Sequence, residues 1–496
     1  MGWCVALGSL CATKKGDRHK TNDIVYKGYM QHNIMHSLYI ITLCSGIGCT
    51  KPELPEKVIV VGAGISGLTV AKSLHENGVE VVVLEARDRI GGRTNTIEVA
   101  DVLVDEGAAW FHGNIHNPLV SLSNQVGIDY NYHDLEEDVW YYDAQAGEIS
   151  DTILDAADDA VADFTDEVYD VVGQELETIS VHDALSMWLD SANLSASVER
   201  TTRFFIEQGA IEIDLGGPAT RTSLLASLEQ EELLGGDYLP EGGYASVIDV
   251  LSEGVDVHTS AVVTRVSAMD DGVEVQTDTD SFYASHVVVT VPLGVLQSGM
   301  IDFIPALPTS KQHSMSHLEM GNLEKVILRF EEQFWANEGL KGISWLDHVN
   351  GELTGVFPEI LDVSSFTGQP TLIGFYGGSR ARADQGNIDD TEIVAQLLHI
   401  LSVVLDRDIP TPIGSYVTHW TIDPYSLGSY SFIPTEGSVD DMEELSQPIA
   451  NGRILFAGEA TYMELYQTAH GAMLSGLREA KRLGVQSTGI PGLDRY

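Results

Sequence analysis

Three glycines and one acid are the first residues of this chain whose types and spacing could do chemistry. The apolar run KVIVV leads into Gly62, Gly64 and Gly67 at GxGxxG spacing, and the next strand, VEVVVLE, ends in Glu85, eighteen residues past the last glycine. That pattern suits a dinucleotide. Gly62 permits the tight turn, Gly64 lets backbone N–H groups approach a pyrophosphate, Gly67 lets a helix pack on the strand, and the helix N-terminus favours the anion. Glu85 is placed to accept hydrogen bonds from a ribose. Glycines at such spacing also serve ordinary turns. Here strand, helix, acid and a second glycine pair, Gly91-Gly92 before Arg93, all fall in register.

Other residues carry a charge where a charge needs a reason. Lys325 lies inside the apolar strand sequence GNLEKVILRF, and a buried ammonium is costly unless it is paired or neutralised. A lysine snorkelling from an edge strand is the bland alternative. His112, in AAWFHG, titrates near neutrality and could hydrogen-bond an amine; a packing or loop-capping role competes with this. Glu212 sits among apolar residues in IEIDLGGPATRTSL, where it could bind a distal ammonium by a charge-assisted contact. If that segment is a strand, Asp214 shares its face.

The elements that must position these residues read as an α/β protein whose nucleotide domain is interrupted twice. From about Asp134 to Leu234 the texture is helical, as in DTILDAADDAVADFTDEVYDVV with its 3.6-residue period. Glycine turns and β-branched strands then return, with Asp271-Gly272 as a hairpin turn. After Ile304 come the strands KVILRF and TLIGFYGG and a helix, IVAQLLHILSVVL, followed by RILFAGEAT and TAHGAMLSGLREAKRL. The expected division is a leader or disordered extension over 1–52, a discontinuous doubly wound, Rossmann-like domain from 53–135, 235–304 and 411–485, a mixed α/β substrate domain from 136–234 and 305–410, and a tail over 486–496.

A length of 496 residues with 44% hydrophobic content allows a large core in two or three domains. No window is apolar for long enough to span a membrane, so the chain reads as soluble, cytoplasmic or secreted. The net charge of −47, from 74 acids and 27 bases, opposes binding to nucleic acid and attracts cations, although solvated acidic faces account for much of it. All four cysteines, Cys4, Cys11, Cys44 and Cys49, precede Lys51. The remainder therefore has no disulfide, thiolate metal site or cysteine nucleophile, and no metal is expected. The first fifty residues read as a signal, a disordered leader or a misassigned start. Asn193-Leu194-Ser195 is a potential glycan acceptor, relevant if the chain is secreted, and Asp494-Arg495-Tyr496 is not a peroxisomal address.

The segments GAGISGL, EARDRIGGRT, AAWFHG, TVPLGVL, DPYSLGSYS, LFAGEAT and HGAMLSGLREA occur in the order found in flavin-containing amine oxidases. The chain from Lys57 to Leu483 resembles that family, and within it polyamine and spermine oxidases. The resemblance implies FAD as cofactor, held without a cysteinyl thioether, and oxidation of a small cationic amine by oxygen. A hydride would pass to flavin N5, giving an aldehyde, a shorter amine and hydrogen peroxide. It implies that Arg87, Gly92 and Arg93 contact the diphosphate and flavin side of FAD, and that the backbone at Val263 pairs with adenine. Trp420 would lie against the isoalloxazine edge, Glu459 would bond the ribityl chain, and the helix opening at Ala469 with the HGA turn would face flavin O2. Lys325 would hold a water beside flavin N5, and His112 would meet the substrate amine.

One departure stands out: many relatives carry a tyrosine two residues before the HGA histidine, where this chain has Thr468, with Tyr466 as the nearest aromatic substitute. Other activities remain open within the resemblance. A histone lysine demethylase would want a chromatin-binding domain, for which the leader before Lys57 is too short, and a coiled-coil insertion. An L-amino-acid oxidase would want an arginine for the carboxylate. A broader monoamine oxidase and a flavin-loaded scaffold without turnover are further alternatives.

Overall fold

The computed structural model describes residues 54–135, 138–384 and 386–496. The expected leader and all four cysteines lie outside them.

Five strands form a parallel sheet in the order Asp256–His258, Glu80–Leu84, Lys57–Val61, His286–Val289, Ile454–Phe456. A parallel sheet is covered on both faces, which is why its strands read as continuous apolar runs. Successive side chains point to opposite faces. Val58, Val60, Val81, Val83 and Val288 join one core with the helices Ile65–Glu76, Ala245–Ser252 and Ala469–Arg482. Ile59, Val61, Val82, Leu84, Val287 and Val289 join another, against an antiparallel layer of Ser281–Ala284, Val273–Thr277 and Val263–Ala268. The turn at Asp271-Gly272 closes one hairpin of that layer, where Met269 N–H bonds Gly272 O at 2.9 Å.

Two helices far apart in sequence meet over the sheet because Gly476 allows it: a Cβ there would lie 2.5 Å from Ser66 O. The hydroxyls of Ser66 and Ser475 meet at 3.0 Å. The N-termini of Ile65–Glu76 and Ala469–Arg482 thereby open toward one cavity, which both ends line.

The second layer system is a seven-stranded mixed sheet, ordered Gly414–Val417, Leu323–Arg329, Thr371–Gly377, Glu359–Asp362, Gly342–Leu346, Val139–Asp143, Gly147–Glu148. Its core includes the helix Asp390–Val404. A helical lobe adjoins it, with Asp151–Val172, Val181–Ala192 and Ala196–Arg203. The acidic amphipathic stretch is one helix, burying Ala157, Ala160, Val161, Phe164, Val168 and Val172. The architecture is thus α/β, a discontinuous doubly wound domain beside a mixed α/β domain.

Three details differ from the sequence expectations. The segment expected to return to the nucleotide domain at 411 first contributes Gly414–Val417 to the seven-stranded sheet, paired with Leu323–Arg329. Ile490 and Leu493 of the tail are buried in the core beneath the nucleotide helix. The IEID segment is no strand: Phe204–Ile213 is a π-helix.

Candidate active site

One cavity of about 570 Å³ runs from the glycine turn to the helical lobe, and residues from Val61 to Ala472 line it. At the turn, Gly62 adopts φ +105° and its N–H bonds Leu84 O at 2.8 Å. A Cβ on Gly67 would sit 2.0 Å from Gly62 O, so only glycine lets the helix approach. Gly64 differs, since a Cβ there would meet only Gly91 O, at 3.9 Å. The space beside Gly64 belongs to the cavity. The helix Ile65–Glu76 has no side-chain cap and no acid in its first turn, so its leading N–H groups are left for an anion. Glu85 is buried, its oxygens accepting from Ala63 N at 2.7 Å and Arg87 N at 2.9 Å. Lone pairs remain on both for hydroxyl donors. Gly92, at φ +60°, and Val263 line the same end.

The arginines here are tied to acids. Arg87 makes a two-pronged contact with Asp423, at 2.9 and 2.8 Å, and reaches Ser426 Oγ at 2.8 Å. Arg93 donates to Glu459 at 3.0 Å and to Ser429 O at 2.9 Å. Glu459 also accepts from Ser431 Oγ at 2.6 Å and Gln467 N at 3.1 Å. All four of Arg87, Arg93, Glu459 and Gln467 line the cavity.

Midway along, Lys325 comes from the buried strand Leu323–Arg329. Its Nζ donates to Asp105 O at 3.1 Å and to Gly107 O, and lies 5.3 Å from the Trp110 ring centroid. Burial pulls the ammonium down to about 8, opposed by the charges of Asp105 and Glu106. Next in sequence, fully buried Glu324 accepts from Trp420 N at 3.1 Å, Thr421 N at 2.8 Å and Thr418 Oγ1 at 2.6 Å. It fixes the loop that carries Trp420, whose indole N–H bonds Glu106 O at 3.1 Å. Trp420 faces the cavity.

At the far end, His112 Nδ1 lies 2.7 Å from Asp237 Oδ1. Asp214 and Glu232 lie close enough to act on the charge of His112, and both line the cavity, as does Glu231. Thr468 caps the last helix, accepting from Gly471 N at 2.9 Å, and it lines the cavity with Ala469 and His470. Burial, with the neighbouring His112, lowers His470 to about 3, so it is neutral at physiological pH.

Two expected substrate contacts are not in the cavity. Glu212 is replaced there by Asp214, because a π-helix does not put residues two apart on one face. Glu212 instead packs against Gly378 and Gly355, and burial raises its carboxyl to about 8. Tyr466 is 2% exposed inside the core between the two sheets of the nucleotide domain. The residue that reaches the cavity is Gln467, turned out by its left-handed backbone, φ +69°. Asp237, Glu324 and Gln467 were absent from the sequence-derived site, and the partner that Asp237 meets lies 125 residues away.

The family model for flavin containing amine oxidoreductases matches residues 65–484. The chain belongs to that family. It is 30% identical over 473 residues to Lysine-specific histone demethylase 2 of Homo sapiens, covering 88% of this chain and 55% of the relative. To Probable polyamine oxidase 4 of Arabidopsis thaliana it is 31% identical over 438 residues, covering 85% of each. The chain spans about half the length of that demethylase, against most of the polyamine oxidase. A solved double mutant of putrescine oxidase, from a redesign of its cofactor binding, matches with TM-score 0.72 and 25% identity over 87% of this chain and 99% of the other. The family is a flavin-containing one, and the cofactor is FAD. The uncapped helix, the open space at Gly64 and the held Glu85 carboxylate fit the dinucleotide half of that group. Among the described residues no helix is long and apolar enough to cross a membrane, and no cluster suits a metal ion.

Proposed function

We propose that this flavoprotein oxidises a small polycationic amine of the polyamine class, giving an aldehyde and a shorter amine while oxygen is consumed and hydrogen peroxide forms. The observation that carries the reading is the distribution of charge along the cavity. Asp214, Glu232 and Asp237 gather around His112, with Glu231 next to Glu232 in the same cavity wall, where ammonium groups gain from a charge-assisted contact. The arginines among the described lining residues, Arg87 and Arg93, are at the other end and paired with acids. That speaks against an amino acid, whose carboxylate would want a free guanidinium.

When bound, FAD supplies the electron-pair acceptor for oxidation of the C–H bond beside the amine nitrogen. Gly62, Gly64, Gly67, Glu85 and Val263 hold its nucleotide half in this reading. Gly92, Arg87, Arg93, Trp420, Glu459 and Ala469 hold the remainder, with Arg87 and Arg93 kept in place by their acids. Lys325, held by two backbone carbonyls and weakened by burial, orders a water in the reaction chamber. His112 and Asp214 orient the amine, and Thr468 with Gln467 shapes the wall where relatives have an aromatic.

Lysine demethylation is the second reading, supported by identity of the same order to the histone demethylases. Rates on spermine, spermidine, putrescine, a monoamine, leucine and a dimethyl-lysine peptide separate the two. Spermine or spermidine is expected to lead; a faster peptide or leucine would overturn the polyamine assignment.

A further inference from the structure

His112 and Asp237 are directly opposite residues in the ladder between Phe111–His112 and Asp237–Pro240. Directly opposite residues share a sheet face, and the carboxylate closes on Nδ1 at 2.7 Å. The backbone on both sides is pinned. Asn117 Nδ2 bonds His112 O at 3.0 Å, Gly113 N–H bonds Gly236 O at 2.8 Å, and a Cβ on Gly113 would collide with Leu233 O at 2.3 Å. Against a carboxylate, Nδ1 is the ring nitrogen that carries the proton. Nε2 is left with the lone pair, on a side chain that is 40% exposed and lines the cavity. Asp237 is more sheltered, at 17%.

The charged and titratable groups facing His112 are Asp237 on the adjoining strand, Asp214 just after the π-helix, Glu232 in the loop before Asp237, and His470 at the start of the last helix. Burial is the largest single influence on the imidazole and favours its neutral form. The hydrogen bond and charge of Asp237, with Asp214 and Glu232, outweigh it and raise His112 above an ordinary histidine. His470 stays neutral and does not compete for a proton.

We propose that Asp237 is a positioning residue that makes His112 Nε2 the acceptor of the substrate's ammonium proton. This deepens the amine reading above and rests on it. An amine reaches the cavity as an ammonium ion, but its nitrogen needs a lone pair before the neighbouring C–H bond can be oxidised. The N–H bond of the substrate breaks, an N–H bond forms at Nε2, and the electron pair returns to the substrate nitrogen. Nδ1–H stays on Asp237, whose charge balances the imidazolium. No redox partner takes part, and the total charge of substrate and dyad is unchanged.

The test compares FAD-loaded wild type with Asp237→Asn, Asp237→Glu and His112→Gln. Histidine ring titrations followed by NMR, assigned by the signal missing in His112→Gln, report the dyad without turnover. The pH dependence of kcat/KM for spermidine reports its use. Wild-type His112 is expected to titrate above free histidine, and Asp237→Asn to lower it. In Asp237→Asn the acidic limb of the pH profile should move to lower pH, and the plateau should fall on the order of 10²-fold, the worth of a positioned base. Asp237→Glu should recover much of both. A wild-type ring that titrates at or below free histidine overturns the proposal, even if Asp237→Asn does not fold. So does amine turnover with an unmoved titration and profile, which leaves the amine reading standing. A shifted titration with no turnover of any amine would sink both.

Discussion

Lys325 carries a buried charge into the cavity: the residue is 4% exposed and its ammonium rests on carbonyls. Replacing it with methionine removes a buried charge and leaves Asp105 O and Gly107 O short of a donor, two changes that oppose each other in stability. The glycine turn and Glu85, which suit the nucleotide half of the cofactor, are untouched. Lys325→Met is therefore expected to retain yellow FAD absorbance while turnover falls by about 10–10²-fold; unaltered steady-state rates would remove the proposed role. The pH dependence of stability has a definite sign. Lys325 is lowered from 10.5 to about 8 in the folded chain, so between those values the unfolded chain binds more protons and stability rises with pH. Denaturant titrations should show that rise in wild type and lose its share in Lys325→Met. The acids make a second contrast at this scale. Asp214→Asn should raise KM for spermidine several-fold, about 1 kcal/mol for an ion pair partly open to water. Glu212, raised to about 8 by burial, is uncharged at neutral pH, so Glu212→Gln should leave KM nearly unchanged.

At the scale of elements, the strand, glycine turn and helix beginning at Lys57 separate packing from cofactor binding. A Cβ at Gly67 has nowhere to go, 2.0 Å from Gly62 O, whereas one at Gly64 meets nothing of the protein closer than 3.9 Å. Gly67→Ala should lower the melting temperature of flavin-free protein, by overpacking worth about 1–3 kcal/mol or more. Gly64→Ala should melt like wild type and yet release FAD more readily, as measured by flavin retained after dialysis. Equal behaviour of the two variants would contradict this division. The turn was legible in the sequence because its signal is local: apolar run, glycine spacing and acid lie within thirty residues. The helix Asp151–Val172 was legible for the same reason. The π-helix was not, since the alternation of IEID imitates a strand and the wide turn leaves no mark of its own. Tyr466 was misplaced because nearness in sequence stood in for nearness in space, and one left-handed residue, Gln467, reverses which side chain reaches the cavity. Asp237 was invisible because the ladder that joins it to His112 is a tertiary contact.

At the scale of the whole molecule, the site exists because the parallel sheet gathers strands from residues 57–61, 80–84, 256–258, 286–289 and 454–456, and Gly476 lets the last helix close on the first. One end of the resulting cavity suits a dinucleotide, the middle holds a buried lysine, and the other end is acidic. The family match explains the first of these. The acidic end, with the arginines Arg87 and Arg93 paired, favours a cationic amine over an amino acid, so the proposed function turns on an amine reducing the bound cofactor. The most direct measurement is anaerobic mixing of the FAD-loaded protein with excess spermidine, followed by flavin absorbance. The yellow absorbance is expected to bleach and to return when air is admitted. Absorbance unchanged by spermidine, spermine and putrescine alike would contradict the account.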